Sequence, residues 1–277
     1  MANITIKKIS GALGAEISGI DLNQKLSAEE IHSIKQAFLD HQVIFLRNQD
    51  IDAKHFLNFA RLIGKPIKYP FVKGLNEFPM IIEVKKLKHE KVNFGGIWHS
   101  DTTYLKVPPK ASMLLSQKIP PYGGDTMFAN QYLAYESLSS TMKQLLDGLI
   151  GISSSAKADV SKTREDRIKN DGSVKANEVL LAEHPIVRTH PETGRKSLFI
   201  NIAHTIGIKG MSPEESQPLL NFLFERQIKP EFTCRFSWTK NAIALWDNRC
   251  VLHNPINDYH GFERLMLRIT LQGDKPA

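Results

Sequence analysis

The stretch "GGIWHSDTTY", residues 95–104, places a histidine and an aspartate two positions apart, at His99 and Asp101. If residues 97–103 form a strand, the two side chains point to the same face, because successive side chains alternate along a strand. Two such side chains can bind one metal ion together with a third ligand from elsewhere in the chain. A His-x-Asp pair alone is a weak signal, since the chain contains 10 histidines and 29 acidic residues.

The candidate for the third ligand is His253, in "LWDNRCVLHNP" at residues 245–255. Two imidazoles and one carboxylate on one face of an octahedron leave three positions open, which is the ligand set of non-haem Fe(II) oxygenases. The same donors also serve catalytic zinc, so a zinc-dependent hydrolase is an alternative, although the chain has no His-Glu-x-x-His motif. A non-catalytic barrel that binds a metabolite is a second alternative, and the intact ligand set argues against it.

Two arginines follow His253 in "HNPINDYHGFERLMLRIT", at Arg264 and Arg268. On a strand these positions share a face. If that face is buried, the two guanidinium groups need anions to offset their desolvation, and arginine binds a carboxylate through two parallel hydrogen bonds. The pattern indicates an acid-binding site beside the metal site, and the formal net charge of +7 also favours anionic small molecules. Two exposed arginines on a solvated strand are the alternative.

The pattern along the chain predicts a mainly β fold with flanking helices, in a barrel or jelly roll formed by a single domain over residues 1–277. A capping box predicts a helix over residues 27–41. A turn leading into a helix is expected at "DTMFANQYLAY", residues 125–135. The segments 65–97 and 157–178 have little regular pattern, and we expect them to be loop or lid excursions.

Composition excludes several classes of protein. Two cysteines cannot form a disulfide framework, and no Cys-x-x-Cys pair is present. No window approaches about 18 consecutive apolar residues, so no membrane span is expected. The N-terminal sequence lacks the apolar run of a signal peptide. No basic arm with interleaved aromatic residues supports a nucleic-acid partner. The cytoplasm is therefore the expected compartment.

The chain resembles the taurine and alkylsulfonate dioxygenases, a family of Fe(II)- and 2-oxoglutarate-dependent enzymes that also includes the 2,4-dichlorophenoxyacetate dioxygenases. The matching motifs occur in the family's order: "GAEISGIDL", "WHSDTTY", "PPYGGDTMFAN", "HPIVRTHPETGRKSLFIN", "WDNRCVLH" and "ERLMLRITLQGDKP". This resemblance implies a double-stranded β-helix, a cupin-like jelly roll with flanking helices. It also implies a homo-oligomer, either a dimer or a tetramer.

The resemblance further implies the chemistry of the site. His99, Asp101 and His253 match the catalytic iron ligands, with 2-oxoglutarate and O₂ as cosubstrates. Thr126 and Arg264 match the positions that hold the distal carboxylate of 2-oxoglutarate. The implied reaction is hydroxylation of a C–H bond in a small anionic substrate, with release of succinate and CO₂.

Three residues match positions that line the substrate pocket of the family. Tyr69 matches a tyrosine of the taurine pocket, and His204 occupies a position that is phenylalanine in the taurine enzyme. Arg268 matches an arginine near the iron and the cosubstrate that also meets the anionic group of the substrate in sulfonate-utilising members. Because His204 and the segment "NFGGI" (93–97) depart from the taurine enzymes, the sequence argues against taurine itself.

Overall fold

The computed structural model describes residues 4–70, 72–157 and 179–277, and this part of the chain is mostly sheet with a few helices. The prediction of a mainly β protein is thus confirmed at the level of secondary structure. Of the expected excursion at 157–178, residues 158–178 lie outside the described part. None of the helices in the described ranges is long and apolar enough to cross a membrane.

One large sheet contains eight strands within the described residues: β1 (Thr5–Lys8), β2 (Ala15–Ser18), β3 (Val43–Leu46), β4 (Pro66–Ile67), β5 (Ile81–Lys86), β6 (Ala111–Lys118), β14 (Ile243–Asp247) and β16 (Arg264–Leu271). Its order is β1-β2-β3-β14-β6-β16-β4, and β5 also pairs with β16. The neighbours are antiparallel except for β2 and β3, which run parallel.

The second layer is a sheet of β7 (Thr126–Asn130), β13 (Thr233–Phe236) and β15 (Val251–Pro255), with β7 in the centre. A third sheet contains β8 (Ile150–Ser154), β9 (Leu181–Pro185) and β12 (Thr205–Ile208), and a hairpin contains β10 (Val187–Thr189) and β11 (Lys196–Leu198). The helices are α1 (Ala28–His41), α2 (Ala53–Ile63), α3 (Gln131–Glu136), α4 (Ser140–Leu146) and α5 (Pro213–Gln227).

Successive side chains of β14 point to opposite faces of the large sheet and pack against different layers. Ile243 and Leu245 belong to one apolar cluster with the buried faces of α1 and α2. Ala244 and Trp246 belong to a second cluster with residues of β7, β13 and β15. The large sheet therefore has helices on its outer face and the β13-β7-β15 sheet on its inner face. Inward-pointing side chains of β16 and β15 meet in the interior between these two sheets.

The helix predicted over residues 27–41 is confirmed, including its capping box. Two other predictions are wrong in part. Residues 65–97 are not one loop, because β4 and β5 lie within them. The two lysines at the end of β5 interrupt its apolar pattern, so the strand could not be recognised from the sequence. The turn expected at the start of residues 125–135 is instead strand β7, which runs directly into α3 and so lacks a boundary in the sequence.

The turn between β14 and β15 carries the chain from the large sheet to the inner sheet in three residues, 248–250. It is held by Asp247, whose Oδ1 accepts hydrogen bonds from the Arg249 backbone N–H (3.0 Å) and Nε (2.8 Å). The Asp247 Oδ2 accepts from Arg249 Nη2 at 2.6 Å and lies 3.1 Å from His190 Nε2. Burial raises the pKa of Asp247, but Arg249 and His190 lower it more, so the pKa lies well below its usual value.

We predict that Arg249→Met lowers the free energy of unfolding by about 3–5 kcal/mol, because it leaves the buried Asp247 carboxylate without its main counter-charge. The loss should be largest above about pH 4 and shrink as the pH falls, since a depressed carboxyl pKa contributes stability only while the carboxyl group is ionised. Urea unfolding at several pH values measures both effects. Arg195→Met is the matched control, because its pair with Glu136 is exposed and should cost about 1 kcal/mol or less. Equal losses in both variants would contradict the prediction.

Candidate metal centre

Three side chains predicted as ligands converge in the interior. The Nε2 atom of His99 lies 3.6 Å from Asp101 Oδ1, and the Nε2 atom of His253 lies 3.8 Å from the same oxygen. All three residues are buried, and their candidate donor atoms lie within 4.8 Å of one another. The two nitrogens and one oxygen can therefore contact a single ion.

The backbone brings these residues together in a way that the sequence did not predict. Residues 97–103 do not form a strand; only His99 pairs, in an isolated antiparallel bridge with His253 on β15. The His99 N–H donates to the His253 carbonyl at 3.0 Å, and the His253 N–H donates to the His99 carbonyl at 2.8 Å. After this bridge the chain turns, with Thr102 in the left-handed region at φ 43°. Asp101 therefore reaches the site from a turn and not by strand alternation.

The hydrogen bonds of His99 indicate which ring nitrogen is available to a metal. Its Nδ1 lies 2.7 Å from the Ile97 carbonyl, which can only accept, so Nδ1 donates to that carbonyl and Nε2 is the nitrogen that faces the candidate metal position. Burial and the neighbouring His99 hold the pKa of His253 well below its usual value, so this imidazole is neutral. Its Nδ1 has no hydrogen-bond partner among the described residues. Both rings can present Nε2 to a metal ion.

The two carboxylate oxygens of Asp101 face different groups: one faces the candidate metal position and the other binds protein side chains. Its Oδ2 accepts from Ser112 Oγ at 2.5 Å and from Arg268 Nη2 at 2.7 Å, while Oδ1 faces the two imidazoles. Burial raises the pKa of Asp101, but Arg268 and the histidines lower it more, and the carboxyl pKa lies well below its usual range. The residue therefore offers one anionic oxygen, and the complete donor set of two imidazole nitrogens and one carboxylate oxygen fits Fe(II).

A second group of potential ligands does not fit a metal. His190, Asp247 and Cys250 lie close together and are buried. However, both oxygens of Asp247 already accept hydrogen bonds from Arg249, and burial raises the pKa of the Cys250 thiol well above its usual value. This group is better explained as the structural network of the β14–β15 turn.

Arg264 and Thr126, which the resemblance assigns to 2-oxoglutarate, lie on facing elements at the start of β16 and of β7. Arg264 is buried, and its Nε and Nη2 have no hydrogen-bond partner among the described residues. Its Cζ lies 5.6 Å from the ring centroid of Trp238, whose Nε1 donates to Thr126 Oγ1 at 3.0 Å. Burial lowers the pKa of Arg264, and a guanidinium group with unpaired nitrogens in this position fits a carboxylate ligand.

A cavity of about 350 Å³ opens onto the metal position. Tyr69, which the resemblance assigned to the substrate pocket, lines it, and the Arg268 guanidinium lies 4.9 Å from the Tyr69 ring centroid. Lys157, which the sequence analysis did not single out, also lines it, and its Nζ donates to the Thr205 carbonyl. The remaining wall is mostly apolar or backbone and is formed largely by residues 92–97.

His204, the second pocket residue of the sequence analysis, also lines this cavity. Its Nδ1 shares a hydrogen bond of 3.0 Å with Thr103 Oγ1, which in turn accepts from Asn201 Nδ2 at 3.1 Å. Burial lowers the pKa of His204 to about 3. The imidazole is therefore neutral at ordinary pH, so it offers a hydrogen bond to a ligand and not a positive charge.

Glycine is required at position 95 by the metal site itself. Gly95 has φ 72°, and a Cβ there would lie 2.8 Å from His99 Cε1 and 3.2 Å from His99 Nε2. A side chain would therefore press on the ligand ring. The segment "NFGGI", which the sequence analysis noted only as a departure from the taurine enzymes, is thus the backbone that passes directly over His99.

Ser112 and Asn248 support the ligands. Asn248 Nδ2 donates to Ser112 Oγ at 3.0 Å, and Asn248 Oδ1 accepts from Trp246 Nε1 at 3.0 Å and, more weakly, from the Asp101 N–H at 3.4 Å. Ser112 was not among the residues predicted from the sequence. The available signal was a serine within Ala111–Leu115, the otherwise apolar first part of β6, because a buried serine needs a polar partner.

Comparison with known proteins agrees with this geometry. The model of the family described as taurine catabolism dioxygenase TauD, TfdA family matches residues 5–270. The chain is 36% identical to an alkylsulfatase of Acinetobacter baylyi, over 98% of this chain and 86% of that protein. It is 33% identical to an alpha-ketoglutarate-dependent sulfate ester dioxygenase of Pseudomonas putida, over 99% of this chain and 91% of that protein.

Among solved structures, a taurine dioxygenase from Burkholderia xenovorans superimposes with a TM-score of 0.84 at 35% sequence identity, covering 99% of this chain and 91% of that one. The family model spans nearly the whole chain, and the relatives match over nearly their whole lengths. The resemblance inferred from the sequence motifs is confirmed: this chain belongs to the TauD/TfdA family of dioxygenases.

Proposed function

We propose that this protein hydroxylates a C–H bond of a small anionic organic molecule, with Fe(II) as its metal and with 2-oxoglutarate and O₂ as cosubstrates. Family membership and relatives named as dioxygenases support this reaction class. The observation that carries the proposal is the convergence of His99 Nε2, Asp101 Oδ1 and His253 Nε2 on one buried point. The relatives give no support to a zinc hydrolase or to a non-catalytic binding barrel.

The protein's part in the reaction is to hold and orient the reactants. When bound here, Fe(II), 2-oxoglutarate and O₂ supply the oxidant: one oxygen atom of O₂ enters succinate, the other enters the alcohol, and CO₂ is released. His99, His253 and Asp101 would occupy one face of the metal and leave three positions open. Ser112 and Arg268 hold the second oxygen of Asp101, which keeps Oδ1 directed at the metal.

We assign the distal carboxylate of 2-oxoglutarate to Arg264 and Thr126. The unpaired nitrogens of Arg264 support the assignment, because a buried guanidinium group without an anion is costly and a carboxylate would satisfy it. The Trp238 N–H already occupies one lone pair of Thr126 Oγ1, so the threonine hydroxyl proton remains free to donate to the ligand.

We propose organic sulfate esters or sulfonates as the substrate class. Two relatives are named for sulfate esters, and the basic side chain of Lys157 lines the cavity, while Arg268, which pairs with Asp101, lies beside it. The apolar wall formed by Val92, Phe94 and Ile97 suits an alkyl chain. If the carbon that carries a sulfate ester is hydroxylated, the C–O bond to sulfate can break, and the products are an aldehyde and inorganic sulfate.

We further propose that residues 1–277 form a single double-stranded β-helix domain, and that the protein assembles as a homodimer or homotetramer, as the family resemblance implies. The packing of the β13-β7-β15 sheet on the large sheet supports this architecture. The cytoplasm is the proposed compartment, and it is supported by two cysteines, Cys234 and Cys250, that are buried as free thiols.

We predict that His99→Ala and His253→Ala abolish succinate formation from 2-oxoglutarate, because each removes one of three metal donors. Anaerobic addition of Fe(II) and 2-oxoglutarate to the unsubstituted protein should give a visible charge-transfer absorption that both variants lack. His260→Ala is the control, since His260 is exposed and lies outside the site. Turnover with zinc in the absence of O₂ would contradict the proposal and favour a hydrolase.

We predict that Arg264→Met raises the KM for 2-oxoglutarate by about a hundredfold or more, since a charge-assisted pair with the distal carboxylate is lost. The KM for the sulfate ester should change much less, because Arg264 is not among the residues that line the cavity. Steady-state kinetics with each reactant varied in turn makes the distinction. Arg61→Met, on the exposed face of α2, should leave both values unchanged. Equal effects on both reactants would argue against the assignment.

A further inference from the structure

Lys86, the last residue of β5, is a buried lysine without a hydrogen-bond partner. It is 3% exposed, and its Nζ makes no hydrogen bond to any described residue. The adjacent Lys85 points to the opposite face, where its Nζ lies 3.2 Å from Glu263. An ammonium group is rarely buried unless an anion or several acceptors meet it, so Lys86 requires an explanation that Lys85 does not.

The partner of Lys86 across the sheet is Arg264. The two residues are directly opposite in the antiparallel register of β5 and β16, and directly opposite residues project to the same face. Arg264 also has buried nitrogens without partners. Two cations are therefore side by side in the interior, an arrangement that is unfavourable for the free protein unless an anion lies between them.

Among the described residues, the surroundings of the two cations contain the ring of Tyr259 and acidic side chains that bind other groups. Lys86 Nζ lies 4.6 Å from the ring centroid of Tyr259. Tyr259 and Arg264 both pack against Gly124, where an added Cβ would lie 3.2 Å from Tyr259 Cδ1 and 3.4 Å from Arg264 Cδ. The carboxylate of Asp125 is already bound by Arg235 at 2.6 Å and by Ser237 at 3.0 Å.

The other acidic side chains of this region also bind other groups. Asp258 Oδ1 accepts a hydrogen bond from the Gly124 N–H at 2.7 Å, and Glu90 Oε2 accepts one from the Leu87 N–H at 2.5 Å. Glu263 lies within ion-pair distance of Lys85 and Lys118. In the described ranges, no carboxylate lies within 4.0 Å of a charged nitrogen of Lys86 or Arg264. The nitrogens without partners on Lys86 and Arg264 are therefore available to an anionic ligand.

We propose that Lys86 is a second cation for the distal carboxylate of 2-oxoglutarate, acting together with Arg264 and Thr126. This proposal rests on the proposed function, because it takes the assignment of the cosubstrate to Arg264 as given. Two cations at one end of the keto acid make the site selective for a dicarboxylate. A keto acid of the same length without the second carboxylate leaves both charges buried and unpaired, and it should bind poorly.

The competing explanation is that Lys86 only packs over Tyr259 and stabilises the fold. The two roles differ in what removal of the ammonium group does to the free protein. If Lys86 is an unpaired charge awaiting a ligand, Lys86→Met should leave the melting temperature of the free protein unchanged or raise it. If Lys86 is a structural cation, the same substitution should lower it.

Calorimetric titration of the Mn(II)-loaded protein tests the proposal without turnover, with 2-oxoglutarate and 2-oxopentanoate as the two probes. The second probe has the same carbon chain and lacks the distal carboxylate. Lys86→Met should weaken 2-oxoglutarate about ten- to hundredfold and leave 2-oxopentanoate unchanged. Lys86→Arg, which keeps the charge, should retain most of the affinity. Lys85→Met is the matched control and should bind both probes as the unsubstituted protein does.

Lys86→Met would overturn the proposal if it left 2-oxoglutarate affinity unchanged, or if it weakened both probes equally while lowering the melting temperature. Arg264→Met in the same series separates this failure from failure of the proposed function. If Arg264→Met weakens 2-oxoglutarate selectively and Lys86→Met does not, only the role of Lys86 is wrong. If the unsubstituted protein does not prefer 2-oxoglutarate to 2-oxopentanoate, the assignment of the cosubstrate is wrong as well.

Discussion

The pair of backbone hydrogen bonds between His99 and His253 is the constraint on which the rest of the site depends. It joins a loop that otherwise makes no sheet pairing to β15, at the position where β15 lines the interior. The strand is itself positioned by the short turn after Asp247, which is held by Arg249. Because two main-chain hydrogen bonds join His99 to His253, the positions of these two residues relative to each other are set by the backbone.

The charged side chains near this bridge are paired partly with each other and partly, under the proposed function, with ligands. Arg268 pairs with Asp101 through the oxygen that faces away from the candidate metal position, and it offsets the charge of that carboxylate. A divalent ion then adds two positive charges, which a doubly negative keto acid can offset. In the part of the chain that the structure describes, Arg264 at the start of β16 and Lys86 opposite it on β5 have side-chain nitrogens without hydrogen-bond partners. Under the proposals above, these two cations would receive the distal carboxylate of the keto acid.

The three side chains selected from the sequence as candidate ligands, His99, Asp101 and His253, lie together in the structure. They could be selected because ligand chemistry restricts candidates to few residue types and the motif order identified the family. The sequence was also sufficient for α1, whose capping box is a local signal. It could not predict how Asp101 reaches the site, since the turn at Thr102 replaces the expected strand. The role of Ser112 and the burial of Lys86 depend on cross-strand neighbours far away in sequence, which local patterns do not encode.

The cavity wall at residues 92–97 lies outside the sheets, whereas the metal ligands are tied to the sheet framework. If this cavity holds the substrate, as proposed, mutations that change the size or polarity of Val92, Phe94 or Ile97 would alter which molecules fit without displacing the bridge between His99 and His253. Gly95 is the exception, since its backbone touches His99. The candidate metal centre and the proposed substrate wall can accordingly diverge at different rates in evolution. Directed evolution of this chain for new substrates would best randomise the wall and keep Gly95 unchanged.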